Sequence, residues 1–340
     1  MKRRSLLKAA VLGSGTAFAA PAISKGLMEW RMVTSWPRGL PGLGTGAERL
    51  AANITAMSGG RLTIKVYSAG ELVPALECLG AVANGTAQMG HDAAYYHAGK
   101  SEGCAFFTAF PFGFTMGEMA AWIKHGNGQK LWDELYAPFG IRGFQAGSTG
   151  TQMFGWFRRE IRALDDLDGL KFRTPGNQGR VLQKLGVTPV SLPGGEIFPA
   201  LQSGAIDGAE WVGPYNDLAL GFYQVCRYYY SPGYHEPGPA LQLTVNEQAW
   251  RSLPSDLQAI VRAANWLRRH HYEGPIADAD LNAEGVIALA IIFAIEGGGR
   301  IMARTGQKEF ERFVRSVRKN KPDFEEGWAA LVAKVPAQHH

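Results

Sequence analysis

Charged and polar residues that can bind a small ligand occur at or near the ends of short predicted strands in the middle of the chain. Arg173 ends one predicted strand, and Asn177 follows about one turn later at a predicted helix start. Glu210 and Trp211 end another strand, and Glu236 lies in a loop. Open α/β sheets bind ligands in the crevice outside their strand ends. These residues therefore predict a ligand cleft, against the plain alternatives of a surface cation at Arg173 and a solvated acid at Glu210.

A glycine-rich motif near the amino end suggests a different chemistry. The residues from Gly42 to Ala47 fit G-x-G-x-x-A and stand between a predicted strand and a predicted helix. Such glycines let backbone N–H groups approach a pyrophosphate at a helix start. However, the loop from Trp36 to Pro41 precedes the glycines, whereas a dinucleotide-binding turn is tight. An exported NAD(P)-dependent oxidoreductase using Gly42–Ala47 is accordingly the alternative function.

Signatures of other enzyme classes are missing from the sequence. It contains no G-x-S-x-G and no H-E-x-x-H motif, and the pair His270-His271 is typical of solvated histidines on a helix. Cys78, Cys104 and Cys226 show no C-x-x-C or zinc spacing. At most one disulfide can form among three cysteines, and buried thiols are the favoured interpretation.

Composition limits the class of protein further. The 340 residues are 46% hydrophobic and 19% charged, without an apolar run near the roughly 18 residues of a membrane helix. The length favours two domains. The net charge is +5, but Lys2, Arg3, Arg4 and Lys8 are all within the first eight residues. The remaining chain is close to neutral, so its charge does not favour nucleic acid as a partner.

The first 22 residues are predicted to be an export signal. A basic start precedes an apolar stretch and the small-x-small triplet Ala17-Phe18-Ala19. The run Arg3-Arg4-Ser5-Leu6-Leu7-Lys8 matches a twin-arginine pattern. The sequence therefore predicts export to the bacterial periplasm.

Hydrophobic patterning predicts an α/β fold whose two halves have a similar plan. In the first half, the order strand, helix, strand predicts a right-handed crossover and a parallel sheet. Strands are predicted over 27–35, 61–67, 87–92, 141–146, 152–157, 170–174, 187–192 and 205–211, and helices over 47–57, 74–84, 178–185, 196–203, 254–272 and 286–295.

Several motifs from Met28 to Trp266 resemble the extracytoplasmic solute receptors of tripartite ATP-independent periplasmic (TRAP) transporters, the DctP-like family. The resemblance is nearest to the subgroup that binds 2-oxoacids and related monocarboxylates. The run from Asp168 to Arg173 is the most diagnostic. The matching stretches are Val33-Thr34-Ser35-Trp36-Pro37, Met89-Gly90-His91 through Tyr95-Tyr96, Phe110-Pro111-Phe112-Gly113, Gly155-Trp156-Phe157-Arg158, Leu167-Asp168-Gly169-Leu170-Lys171-Phe172-Arg173 and Ala205-Ile206-Asp207-Gly208-Ala209-Glu210-Trp211.

The resemblance implies a site built around a carboxylate ligand. Arg173 would hold the ligand carboxylate through a bidentate pair, which a planar guanidinium can form and a lysine cannot. Asn177 and Tyr95 or Tyr96 would add hydrogen bonds to the ligand.

The resemblance also implies a sodium or calcium ion that bridges ligand and protein. Its ligands would be Gln152, Glu210, the Trp211 carbonyl and Glu236. All four supply oxygen, which suits a hard cation rather than zinc or copper.

The implied architecture is the two-domain periplasmic binding protein fold, with a ligand cleft between the domains and a long connecting helix. Domain I would comprise 27–150 plus about 240–272, and domain II 151–239 plus about 273–335. The implied partners are TRAP membrane permease subunits and, through the carboxyl end, a second copy of the chain. That end departs from the family pattern at Pro275 and again from Gly285.

Overall fold

Ten strands in residues 27–274, the part of the chain that the computed structural model describes, form two five-stranded sheets. The predicted export signal and the predicted helix over 286–295 lie outside the described residues. The chain from Pro275 onward also lies outside them, and with it nearly all of the predicted second segment of domain II, about 273–335.

The first sheet has the order β2-β1-β3-β10-β4. Strand β1 pairs in parallel with β2 and β3, which confirms the predicted parallel unit, and β10 lies antiparallel between β3 and β4. The strands are β1 (Met28–Thr34), β2 (Leu62–Tyr67), β3 (Met89–Asp92), β4 (Ile141–Ser148) and β10 (Ala240–Asn246).

The second sheet has the order β7-β6-β8-β5-β9. Strand β6 pairs in parallel with β7 and β8, and β5 pairs antiparallel with β8 and β9. The strands are β5 (Gly155–Phe157), β6 (Lys171–Arg173), β7 (Thr188–Val190), β8 (Gly208–Ala209) and β9 (Tyr228–Tyr230). The strand predicted over 205–211 is thus reduced to two residues.

Nine α-helices complete the described part of the chain, and none of them is long and apolar enough to cross a membrane. The longest, α9, packs against β4 and α1. The helices are α1 (Gly44–Met57), α2 (Cys78–Ala83), α3 (Met116–His125), α4 (Gly128–Tyr136), α5 (Gly176–Gln183), α6 (Gly194–Ser203), α7 (Pro214–Leu220), α8 (Glu247–Ser252) and α9 (Ser255–Gly274). The three cysteines are free and buried, as predicted.

Two segments, 149–154 and 231–239, run between the sheets and are hydrogen-bonded to each other. The Gln152 N–H donates to the Glu236 carbonyl at 3.1 Å, and the Gly233 N–H donates to the Gln152 carbonyl at 3.0 Å. A Cβ at Gly233 would lie 2.2 Å from that same carbonyl oxygen, so this approach requires glycine. The pairing brings Gln152 and Glu236 together although they are far apart in sequence.

The glycines at the start of α1 serve packing. Gly44 and Gly46 are buried, and a Cβ at Gly44 would lie 2.5 Å from the Pro37 carbonyl oxygen. The loop that precedes the helix therefore covers its first turn. This arrangement contradicts the alternative interpretation of Gly42–Ala47 as a dinucleotide site, because a pyrophosphate needs open backbone N–H groups there.

Asp217 in α7 ties the second sheet to the turn after β8. Its carboxyl group accepts hydrogen bonds from Trp156 Nε1 and the Tyr229 hydroxyl, both at 2.9 Å, and from the N–H groups of Val212 and Gly213 at 3.1 Å. Burial raises the pKa of Asp217 to about 7, although these hydrogen bonds oppose the shift.

We expect Asp217 to make stability depend on pH. Because its pKa rises from 3.8 in the unfolded chain to about 7 in the folded protein, its contribution is fully present below 3.8 and is lost as pH rises through 7. Urea unfolding between about pH 4 and 8 measures the slope, to which one such group contributes up to about 1.4 kcal/mol per pH unit. Asp217→Asn should remove this component, and an unchanged slope in that variant would contradict the assignment.

Candidate functional site

A cavity with about 260 Å³ of empty space lies where segments of both sheets meet. The lining residues mostly follow strand ends, as an α/β ligand cleft requires. They are Trp36, Leu43, Ala93, Tyr95, Tyr96, Thr108, Thr149, Gln152, Trp211, Val212, Pro239 and Leu241.

Trp36 forms part of this wall and is fixed by a buried histidine. Its Nε1 donates to Nδ1 of His91 in β3 at 2.8 Å. The Trp36 ring contacts Tyr96 and, edge-on, Trp211, with centroid distances of 6.1 and 6.2 Å. His91 thus orients an aromatic ring that touches cavity residues from both sheets. Sequence reasoning quoted both residues in matching motifs but did not assign them to the site.

Arg173, the last residue of β6, is fully buried and held by three hydrogen bonds. Its Nε donates to the Leu192 carbonyl at 3.0 Å, and Nη1 donates to the carbonyl and to Oε1 of Glu210. Nη2 is buried and has no protein partner. The surface-cation alternative is therefore wrong. Only Nη2 is left to bind a ligand, whereas the predicted bidentate pair requires two guanidinium nitrogens.

Glu210 lies beside Arg173 because β6 and β8 run in parallel. Arg173 pairs with Ala209 in register, and the Glu210 N–H donates to the Arg173 carbonyl at 3.1 Å. The Glu210 side chain is fully buried and its Oε2 has no hydrogen-bond partner. The alternative of a solvated acid is therefore wrong as well.

Glu210, His235 and Glu236 form a buried cluster with one donor atom from each residue within 4.8 Å of the others. Oε2 of Glu236 and both ring nitrogens of His235 also lack a hydrogen-bond partner. Buried polar atoms without partners are costly, so such a concentration of them indicates a site for a bound group. His235 is the member of this cluster that sequence reasoning did not select, although it directly precedes Glu236.

Burial and the short distance between the two carboxyl groups determine the pKa shifts in the cluster. Burial raises the pKa of Glu236 well above its usual range, Glu210 raises it further, and Arg173 opposes the shift. Burial alone would lower the pKa of Arg173, but Glu210 and its other neighbours raise it overall. A cation placed here would offset the repulsion between the carboxylates.

Gln152 and Trp211 connect the cluster to the cavity. Gln152 lines the cavity, its side-chain Nε2 donates to the Thr149 hydroxyl at 3.0 Å, and its Oε1 is buried without a partner. The Trp211 ring also lines the cavity, and the Arg173 guanidinium lies 4.9 Å from its centroid. Gln152, whose backbone N–H donates to the Glu236 carbonyl, and Trp211, the sequence neighbour of Glu210, thus lie both in the cavity wall and beside residues of the cluster.

The tyrosines and Asn177 differ in their placement. Tyr95 and Tyr96 both line the cavity. Burial raises the pKa of Tyr95 well above its usual value and that of Tyr96 to about 12, so both phenols remain hydrogen-bond donors. Asn177 is half-buried at the second position of α5 and is not among the cavity-lining residues. Its contact with the ligand stays a prediction.

The donor atoms fit a hard or borderline cation. Two carboxylate oxygens, an amide oxygen and an imidazole are present, and none of the described thiols lies in the cluster. Carboxylate and carbonyl oxygens suit calcium and sodium, and the imidazole extends the choice toward transition ions. Nothing in the donor set requires redox chemistry.

Two α/β lobes with a small cavity where their segments meet are typical of a solute-binding protein. The family model of bacterial extracellular solute-binding protein, family 7, matches residues 33–270. Because that match covers more than half of the sequence, the chain belongs to this family.

Named relatives agree with this assignment. A monocarboxylate 2-oxoacid-binding periplasmic protein of Nostoc sp. is 45% identical over 273 residues, covering 78% of this chain and 75% of that protein. A Bordetella bronchiseptica TRAP solute-binding protein, a dimer with calcium and picolinate, is 34% identical with a TM-score of 0.75. It covers 90% of this chain and 91% of its own. A Colwellia psychrerythraea TRAP protein with calcium and pyruvate is 36% identical, covers 90% and 94%, and has a TM-score of 0.74.

Gly194, the first residue of α6, makes room for Trp211, and its neighbour Gly195 provides a control. A Cβ at Gly194 would lie 2.6 Å from the Trp211 ring, whereas a Cβ at Gly195 would meet only Pro37 at 3.7 Å. We expect Gly194→Ala to displace the ring and to lower the free energy of unfolding by about 1–3 kcal/mol, because overpacking forces side chains to shift. Near-ultraviolet circular dichroism and urea unfolding measure both effects. Gly195→Ala should leave the free energy of unfolding almost unchanged. Identical behaviour of the two variants would contradict the contact between Gly194 and the Trp211 ring.

Proposed function

We propose that this chain is the periplasmic substrate-binding subunit of a TRAP transporter that captures a small 2-oxo or 2-hydroxy monocarboxylate with a bridging cation. The observation that carries this proposal is the set of unpartnered buried atoms next to one cavity. These are Arg173 Nη2, Gln152 Oε1, Glu210 Oε2 and Glu236 Oε2. In this interpretation the nitrogen binds the ligand carboxylate and the oxygens bind the cation.

Charge balance supports the bridging cation. With both carboxyl groups ionised, Arg173 offsets one of two negative charges, and a monocarboxylate ligand would add another. Such an excess of negative charge is costly to hold away from water. Sodium would reduce the excess by one charge and calcium would remove it.

The same charge balance favours a monocarboxylate with a 2-oxo or 2-hydroxy group as the ligand. A dicarboxylate would add an uncompensated negative charge to the cavity. An oxygen on the carbon next to the carboxylate lets the ligand chelate the cation, which a plain fatty acid cannot do. The names of the relatives, which include a 2-oxoacid-binding protein and a pyruvate complex, support the same class.

Delivery to membrane permease subunits is the role that family membership supports. The two lobes would close around the ligand, and binding energy would stabilise the closed form that the permease recognises. No reaction is needed in this cycle, and the covered first turn of α1 disfavours the rival NAD(P) oxidoreductase. Export through the twin-arginine signal, the domain boundaries and the homodimer remain predictions.

Ligand selectivity tests the proposal directly. Calorimetric titration with pyruvate, lactate, propionate and succinate, with and without prior cation removal by a chelator, should rank pyruvate and lactate above the other two. Removal of the cation should weaken pyruvate binding, and calcium or sodium should restore it. Equal binding of all four acids, indifferent to the chelator, would overturn the cation-bridged site.

Arg173→Lys tests the role of the free guanidinium nitrogen. Lysine keeps a positive charge beside Glu210, but it cannot hold Leu192 and Glu210 and also present an N–H group to the ligand. We expect pyruvate affinity to fall by about tenfold to hundredfold, since a hydrogen bond to a charged group contributes about 1.5–3 kcal/mol.

Arg142→Lys is the matched control for that variant. Arg142 is a half-buried arginine paired with Glu247 at 3.1 Å in the first sheet, away from the cavity. Its replacement should leave affinity unchanged. Pyruvate affinity of Arg173→Lys within threefold of the wild type would contradict the assignment of Arg173.

A further inference from the structure

His235 is an unusual histidine because both of its ring nitrogens are buried without a hydrogen-bond partner. The residue is only 1% exposed, and neither Nδ1 nor Nε2 makes a hydrogen bond. A neutral imidazole carries one donor and one acceptor, so leaving both unpaired away from water is costly. A group bound in the site would remove that cost.

The geometry around Nε2 matches shared coordination of an ion. Nε2 lies 3.6 Å from Oε2 of Glu210, which is too long for a hydrogen bond. Two ligand atoms on one ion, each about 2.0–2.5 Å from it, lie about 3–4 Å apart. Glu236 completes the group, with one donor atom from each of the three residues within 4.8 Å of the others.

The residues around the His235 ring offer Nε2 no hydrogen-bond partner, so a bound ion is the partner that fits it best. Phe154 and Tyr234 lie edge-on to the imidazole, with centroid distances of 6.4 and 5.9 Å. These rings pack against His235 but offer no strong acceptor or donor at such a distance. Oε1 of Glu210 already accepts a hydrogen bond from Arg173, so Oε2 is the oxygen left to share an ion with Nε2.

We propose that His235 is a nitrogen ligand of the cation and that it shifts the preference of this site from Ca²⁺ toward borderline divalent ions such as Co²⁺. The inference rests on the cation site of the proposed function and adds a ligand that the oxygen-only set lacks. Imidazole suits later transition ions better than calcium, whereas carboxylate and carbonyl oxygens suit Ca²⁺ and Mn²⁺ alike, so one ring shifts the preference of the site toward ions such as Co²⁺.

Spectroscopy of the bound ion tests the nitrogen ligand. The full chain, freed of cation with a chelator and loaded with one equivalent of Mn²⁺, should show ¹⁴N modulation in pulsed electron paramagnetic resonance. Addition of excess Ca²⁺ should displace the Mn²⁺, abolish the nitrogen modulation and leave the signal of aqueous Mn²⁺. Incorporation of ¹⁵N-histidine should change the modulation, and this measurement needs no variant. A Ca²⁺-displaceable Mn²⁺ signal without nitrogen modulation would overturn the proposal.

His235→Gln tests selectivity, because glutamine replaces the nitrogen donor with an amide oxygen. Calorimetry should show that Co²⁺ affinity falls by at least about tenfold more than Ca²⁺ affinity, in line with the loss of a metal ligand. His125→Gln, at an exposed position of α3, is the control and should leave both affinities unchanged. An equal loss for the two ions would overturn the selectivity.

The two proposals fail in different ways. Pyruvate binding that depends on Ca²⁺, together with Mn²⁺ binding without a nitrogen ligand, would overturn the role of His235 and leave the proposed function intact. Pyruvate binding that is indifferent to all cations would overturn the bridged site, and His235 would lose its role with it.

Discussion

The buried pair of Arg173 and Glu210 is the interaction on which the rest of the site depends. Neither side chain is exposed, and removing one charge would leave the other buried and uncompensated, which typically costs about 3–5 kcal/mol. The pair occupies Nη1 and Oε1, so it determines which atoms stay available: Nη2 on one side and Oε2 on the other. Parallel pairing of β6 with β8 sets the two residues at this spacing. Backbone register thereby decides where anion and cation can bind.

Much of the first sheet was predictable from the sequence because its early part is local. The residues of β1, α1 and β2 show clear alternation or helical spacing, and β1 and β2 pair as predicted. Strand β10 was missed, because six of its seven residues are buried and the pattern does not reveal an antiparallel partner. Strand β8 was predicted too long, because β6 is only three residues long and pairs in register with Gly208 and Ala209 alone.

Residue types alone identified part of the candidate site. Arg173, Glu210 and Glu236 stood out as charged residues at strand ends and in a loop, and the structure brings them together. Sequence reasoning could not distinguish them from surface charges, because burial comes from tertiary packing. His235 was missed because a single histidine in a loop has no spacing signal, and its meaning comes from the unpaired ring nitrogens. The role of Asn177 stays a prediction, because a suitable residue type near a helix start does not by itself give a position in the cavity wall.

The position of β10 in the first sheet has a consequence for folding. This strand lies between β3 and β4 but follows them by about 150 and 100 residues in sequence, as the hydrogen bond from Gln242 to Asp92 illustrates. Closing such a long loop costs entropy before any strand contact repays it, and non-local pairing slows folding. Until residue 246 is available, β3 and β4 each have an open edge, and exposed edges favour association with other chains. A nascent chain of this protein therefore exposes unpaired strand edges, the sites at which chains associate, until most of its length has been synthesised.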